Sequence, residues 1–257
     1  MKNSNDKFTL KQLEDSYKKY NDRKYVHPDP LEFLYNYSNL EEREIAAVIA
    51  SSLAYGRVAQ ILKSVGIVLD TAHSKEKNLV EFVQNNSAAT LKKLFKNFKH
   101  RFTTGDELST LIHYTGRAIL KYSSLENAVL SGVYDDDTNI KGGITVLAHE
   151  LTGSKGFNSL MPDPGKGSAL KRINLMMRWM VREDKVDPGG WKKISPSLLI
   201  IPLDTHMHKI SLQHGLTIRK SADLKTALEI TEQFSKFSKK DPVKYDFALT
   251  RPGIGGH

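Results

Sequence analysis

Pro164-Gly165-Lys166-Gly167-Ser168 leads into Lys171-Arg172-Ile173-Asn174-Leu175-Met176-Met177-Arg178-Trp179, and farther along stands Ile200-Ile201-Pro202-Leu203-Asp204-Thr205-His206. The first stretch has the chemistry of a phosphate cradle. Gly165 and Gly167 let a backbone approach an anion with no Cβ in the way. A helix start presents free N–H groups and the positive end of its dipole, Lys166 adds a mobile charge, and Ser168 is placed to cap. The second stretch sets one carboxylate, Asp204, at a helix start behind a buried apolar run. An ordinary glycine-containing helix–helix loop reads the same way, and so does an ordinary aspartate N-cap. Together the two stretches describe a chain that grips nucleic-acid backbone and holds an acid near it.

The charge pattern points the same way. The net charge is +9; residues 1–150 hold 20 Lys+Arg against 19 Asp+Glu, a net of +1, and residues 151–257 hold 18 against 10, a net of +8. The excess lies in the part that carries both stretches, the footprint of a phosphate-backbone binder. With no cysteine, disulfides, thiolate metal sites and cysteine-ligated iron–sulfur clusters are excluded. No apolar run is long enough for a membrane span, and Met1-Lys2-Asn3-Ser4-Asn5-Asp6-Lys7 lacks the apolar core of a secretory signal. A cytoplasmic protein of one large or two small domains is expected.

Apolar residues recur at helical spacing. Ser38 and Glu41 read as a capping box ahead of Ile45, Ile49 and Leu53 on one face, and Gly56 reads as the stop. Val58, Ile61, Leu62, Val65 and Leu69 mark a second helix. Leu108, Leu111, Ile112, Thr115 and Ile119 mark a third, and Ile144, Leu147 and Leu151 a fourth. Further helices are predicted near 169–183, 205–214, 222–236 and 242–249, with loops at 99–105, 134–143, 155–168 and 184–196. Strand alternation is scarce, so the chain reads as all-α. Asp135, Asp136 and Asp137 read as a solvated turn, since they lack the alternating ligands of a calcium loop. His206, His208 and His214 do not share a helical face with a completing carboxylate, so no metal site and no cofactor are expected.

Four pieces in register resemble the helix–hairpin–helix DNA glycosylases, the superfamily of endonuclease III and the 8-oxoguanine glycosylases. Pro164-Gly165-Lys166-Gly167 is similar to that family's Leu-Pro-Gly-Val-Gly hairpin, and Leu203-Asp204-Thr205-His206 to its Val-Asp-Thr-His. Glu44-Ile45-Ala46-Ala47-Val48-Ile49-Ala50-Ser51-Ser52-Leu53-Ala54 resembles the helix that carries the intercalating wedge. Asp241-Pro242-Val243-Lys244-Tyr245-Asp246-Phe247-Ala248-Leu249 resembles the helix before the family's cluster loop. The likeness runs over about residues 30–252, and it is nearer still to an uncharacterised bacterial family of unknown function within that fold. The four cluster cysteines of endonuclease III are missing here, and 183–197 looks like an insert.

The resemblance implies a two-lobed all-α fold, with residues 40–184 as one lobe and 1–39 plus 185–257 as the other, and with double-stranded DNA as partner. It makes Asp204 the catalytic aspartate, which stabilises the cationic sugar or activates a nucleophile. Lys171 is the candidate Schiff-base amine. A gapless match puts Ala169 at the family's lysine position, and Lys171 fits only if the turn is two residues longer. Pro164, Gly165, Lys166, Gly167, Ser168 and Arg172 are implied DNA contacts. Leu53 is the implied wedge, with Tyr55 stacking on a flipped base, although both read equally as core residues at a helix end. No membrane and no obligate protein partner is expected. Arg178 and Trp179 read as structural, and Trp191 as a base contact or a packing residue. The implied activity is base-excision repair by a glycosylase, with or without lyase chemistry; a non-catalytic DNA-binding protein is the alternative.

Overall fold

The computed structural model describes residues 7–254; residues 1–6, most of the stretch read above for a targeting signal, lie outside them. Among the described residues the chain is mostly helical, at 61 % helix, with one two-stranded hairpin. In chain order the elements are α1 (Leu10–Tyr20), α2 (Leu40–Ser52), α3 (Val58–Lys75), α4 (Leu79–Asn85), α5 (Ala88–Leu94), β1 (Lys99–His100), β2 (Thr103–Thr104), α6 (Gly105–Tyr122), α7 (Leu125–Leu130), α8 (Lys141–Thr152), α9 (Lys171–Val181), α10 (Thr205–Gln213), α11 (Leu224–Ser235) and α12 (Asp246–Ile254). Among the described residues, no helix is long and apolar enough to cross a membrane.

Two compact units form. One comprises His27–Asp136 and Lys141–Gly165; the other comprises Met1–Val26, Asp137–Ile140 and Lys166–His257. The division falls inside the glycine-rich turn, so α9 belongs to the same unit as Asp204.

In the first unit, α2 is buried over Glu44–Ser52 and packs on the 3-10 segment Pro30–Asn36 and on α4. Its cap is Asn39 rather than Ser38: the Asn39 side chain accepts the Glu42 N–H at 3.1 Å. Either residue type satisfies a first-turn donor, and the one adjacent to the helix does so. Glu44 is 1 % exposed, yet its carboxylate accepts the Leu125 and Glu126 N–H groups at 3.1 and 3.3 Å. It thereby caps α7 from a distance, which accounts for a buried acid in the middle of a helix. The long amphipathic helix α6 packs on α4, α5, α7 and α8. At Gly116 a Cβ would lie 2.2 Å from the Val83 carbonyl oxygen, so only glycine allows this approach. The expected loop at 99–105 instead contains β1 and β2, which pair antiparallel with Lys99 opposite Thr104.

In the second unit, α12 packs against α1 and α10. Trp179, Trp191, Tyr245 and Phe234 are fully buried at its centre. Leu199, Ile200, Ile201 and Leu203 are buried too and deliver the chain to the start of α10. The N–H of Ile201 finds the Thr231 hydroxyl at 3.0 Å, which satisfies a donor that no ladder serves.

Candidate active site

The turn before α9 runs from Pro164 to Leu170. Pro164–Lys166 forms a 3-10 turn, and Gly167 takes φ +74°. Ala169 and Leu170 are then buried at 7 and 3 % exposure. Leu170 adopts the left-handed conformation, φ 51°, directly before the helix, a strained setting for a branched side chain. Helix α9 therefore starts at Lys171, two residues later than the apolar period indicates. Leu170 is its cap residue and offers no side-chain hydrogen bond. Ser168 does not cap α9 directly; its hydroxyl accepts the Leu170 N–H at a long 3.4 Å. Gly165, Lys166, Gly167 and Ser168 are exposed and Pro164 is buried. Gly165 donates its N–H to Asp163 at 2.8 Å, and the Gly167 carbonyl accepts the Leu224 N–H at 2.9 Å. The first-turn N–H groups of α9 thus sit beside Lys171 and the half-buried Arg172.

Lys171 and Asp204 meet. Lys171 Nζ lies 3.6 Å from Asp204 Oδ2, with side chains 36 and 22 % exposed. Asp204 is at once the cap and the acid. Its Oδ1 accepts the Met207 N–H at 2.8 Å, which fixes the carboxylate and turns Oδ2 toward the amine. Partly shielded from solvent, the pair is a long ion pair whose two groups can both reach one bound molecule.

Beside this pair lies a buried ionic cluster that gives Arg178, a structural residue by its sequence, two carboxylate partners. Lys171, Asn174, Arg178 and Arg182 follow one stripe of α9 and its C-cap at helical spacing. Arg178 bridges two carboxylates: Nε to Asp187 Oδ1 at 3.1 Å and Nη1 to Asp246 Oδ2 at 2.6 Å. Arg182 holds Asp187, Asp184 and Asp241, and the Tyr17 hydroxyl donates to Asp184 at 2.8 Å. Two guanidinium groups thus face four carboxylates. Burial lifts Asp246 to about 6; Arg178 opposes the rise, while the charges of Asp204 and Asp187 add to it. Burial also pushes Asp187 above the usual carboxylate range, against the pull of Arg178 and Arg182. For Asp184, burial is outweighed by Arg182 and backbone donors, and its acidity is strengthened. Asn174 is fully buried, with its amide donated to the Ala169 carbonyl and Oδ1 without a partner. The clue to the cluster was the Arg178–Arg182 spacing just ahead of Asp184 and Asp187.

Leu53 and Tyr55 lie in the other unit, whereas Trp191, His208 and His214 share the unit of Asp204. Leu53 is the C-cap of α2 and is 0 % exposed, a core side chain with no surface from which to enter a duplex. Tyr55 is half-buried, its hydroxyl donated to the His100 carbonyl at 2.9 Å and its ring stacked on Phe102. Trp191 is 1 % exposed and packs. His208 bonds the Arg219 carbonyl at 2.8 Å, and His214 stacks on Phe8.

A family model described as a protein of unknown function (DUF2400) matches residues 29–255. The chain belongs to the DUF2400 family. No curated protein and no solved structure matches it. In this DUF2400 chain the matched span takes in both the Lys171–Asp204 pair and the ionic cluster.

Proposed function

We propose that this chain is a DNA glycosylase of base-excision repair, acting on a damaged or mispaired base flipped out of duplex DNA, with lyase chemistry at Lys171. The observation that carries the reading is the approach of Lys171 to Asp204 at 3.6 Å. It is supported by the basic character of residues 151–257 and by the glycine turn ahead of α9.

The chemistry divides between the two side chains. Having given one proton to Asp204, the Lys171 amine attacks C1′ of the sugar; the Nζ–C1′ bond forms as the C1′–N bond breaks, the electron pair leaves with the base, which takes a proton from solvent, and the C1′–O4′ bond then opens, with one Nζ proton moving to O4′, to give the iminium that borohydride reduces. Asp204 offsets the positive charge that builds on the sugar and receives the proton that the amine sheds. Lys166, Arg172 and the first-turn N–H groups of α9 take the backbone phosphates.

Borohydride reduction in the presence of an abasic duplex tests this. A covalent protein–DNA complex is expected with the wild-type chain and is expected to vanish in Lys171→Ala. Absence of trapping with alkali-labile sites that Asp204→Asn prevents would assign a monofunctional enzyme that uses water. Absence of both, with salt-sensitive duplex binding retained, would leave a non-catalytic DNA-binding protein.

A further inference from the structure

Residues 91–102, Leu-Lys-Lys-Leu-Phe-Lys-Asn-Phe-Lys-His-Arg-Phe, hold five Lys and Arg and no carboxylate. They end in the tight hairpin of β1 and β2. At its turn Arg101 takes φ 55° and lays its aliphatic stem against Gly56. Phe102 follows and is 62 % exposed. Strands of two residues each gain nothing from a bare phenyl ring, and water pays a cost to cover one.

One face of that ring is already held. Tyr55 stacks beneath Phe102 with centroids 5.1 Å apart at 28°. Tyr55 is in turn fixed by its hydroxyl, which bonds both the His100 carbonyl and the Thr103 hydroxyl. Thr103 bonds Ser159, and the fully buried His100 ring bridges the Ser64 hydroxyl at 2.9 Å and the Tyr55 carbonyl at 3.0 Å. The result is a braced aromatic pile with a free top face. Lys99, Arg101 and Arg57 around it are exposed. An apolar protein partner would leave these cations unpaired. A nucleic-acid strand satisfies both features, since a base has a π-face for Phe102 and phosphates for the cations.

We infer that the hairpin is a DNA-binding site in which the free face of Phe102 stacks on an unpaired base, with Lys99, Arg101 and Arg57 on the adjoining phosphates. This rests on the DNA reading above but not on its chemistry, and it moves the wedge role from Leu53, which is buried, to a residue that is presented.

The test uses the full chain and a fluorescein-labelled duplex carrying one tetrahydrofuran abasic analogue, with the intact duplex as control. The two native tryptophans are both buried, so a Phe102→Trp variant adds a single exposed reporter. Its emission is expected to be quenched by the abasic duplex. Phe102→Ala is expected to bind that duplex about 5- to 150-fold more weakly with an unchanged melting curve, and Phe102→Trp to bind it as the wild type does. Equal affinity of Phe102→Ala and wild type, or no quenching on a duplex that binds, would overturn the assignment while leaving the repair reading intact. Failure of the wild type to bind any duplex at low salt would overturn both. Quenching without borohydride trapping or alkali-labile sites would uphold this surface and remove the enzyme.

Discussion

Replacing Asp246 by asparagine isolates one buried charge beneath the site. Asp246 is 3 % exposed and holds its proton up to about 6, against 3.8 for an ordinary aspartate, because burial outweighs its contact with Arg178. A folded-state value above the unfolded one means that folding takes up a proton. The resulting stabilisation is complete below the unfolded value and is lost as pH rises through about 6. With these two values the loss comes to about 1 kcal/mol between about pH 5 and about pH 7. Asparagine cannot titrate. The variant also leaves Arg178 with Asp187 as its buried partner. Urea denaturation of both proteins, followed by far-ultraviolet circular dichroism at several pH values, measures the difference. Wild type should lose about 1 kcal/mol more than Asp246→Asn on going from about pH 5 to about pH 7. A difference that stays flat would mean that Asp246 is ionised throughout, and the burial argument would fail.

Two further substitutions probe the turn and the first unit. Leu53→Ala removes a fully buried side chain and should cost about 2–5 kcal/mol in urea denaturation, with affinity for an abasic duplex unchanged below the unfolding range; a Leu53 that inserts into DNA would reverse that pattern. Gly167→Ala meets no atom within 4 Å but must adopt φ +74°, so the cost is conformational, about 1 kcal/mol. A melting curve identical to wild type would show that the turn relaxes to another conformation.

The helices with strong apolar periods were legible. Val58, Ile61, Val65 and Leu69 do lie along α3, and Leu108, Leu111, Ile112 and Ile119 along α6. Their burial faces follow from local spacing alone. The start of α9 was not, because the left-handed residue that delays it is Leu170, and a leucine carries no turn signal. The hairpin at 99–104 escaped for a similar reason: its strands are too short to alternate, and its positive-φ residue is Arg101. Asp204 could be read from sequence as a helix cap, since it stands just ahead of the helical run of α10, whereas the choice between Ala169 and Lys171 depended on the turn length that Leu170 conceals. The ionic cluster could be named only in part. Asp184 and Asp187 follow Arg182 closely, but Asp241 is 59 and Asp246 is 68 residues from its arginine partner, and no local pattern announces a pairing at that range.

The most direct measurement is a single-turnover assay of the purified chain against duplexes that each carry one damaged or mispaired base, treated with alkali and resolved by strand length. Cleavage at one or more lesions, abolished by Asp204→Asn in a protein that still melts and binds duplex as wild type, is the predicted result. A folded wild-type chain that leaves every duplex whole, or an Asp204→Asn variant that cuts at the wild-type rate, would contradict it.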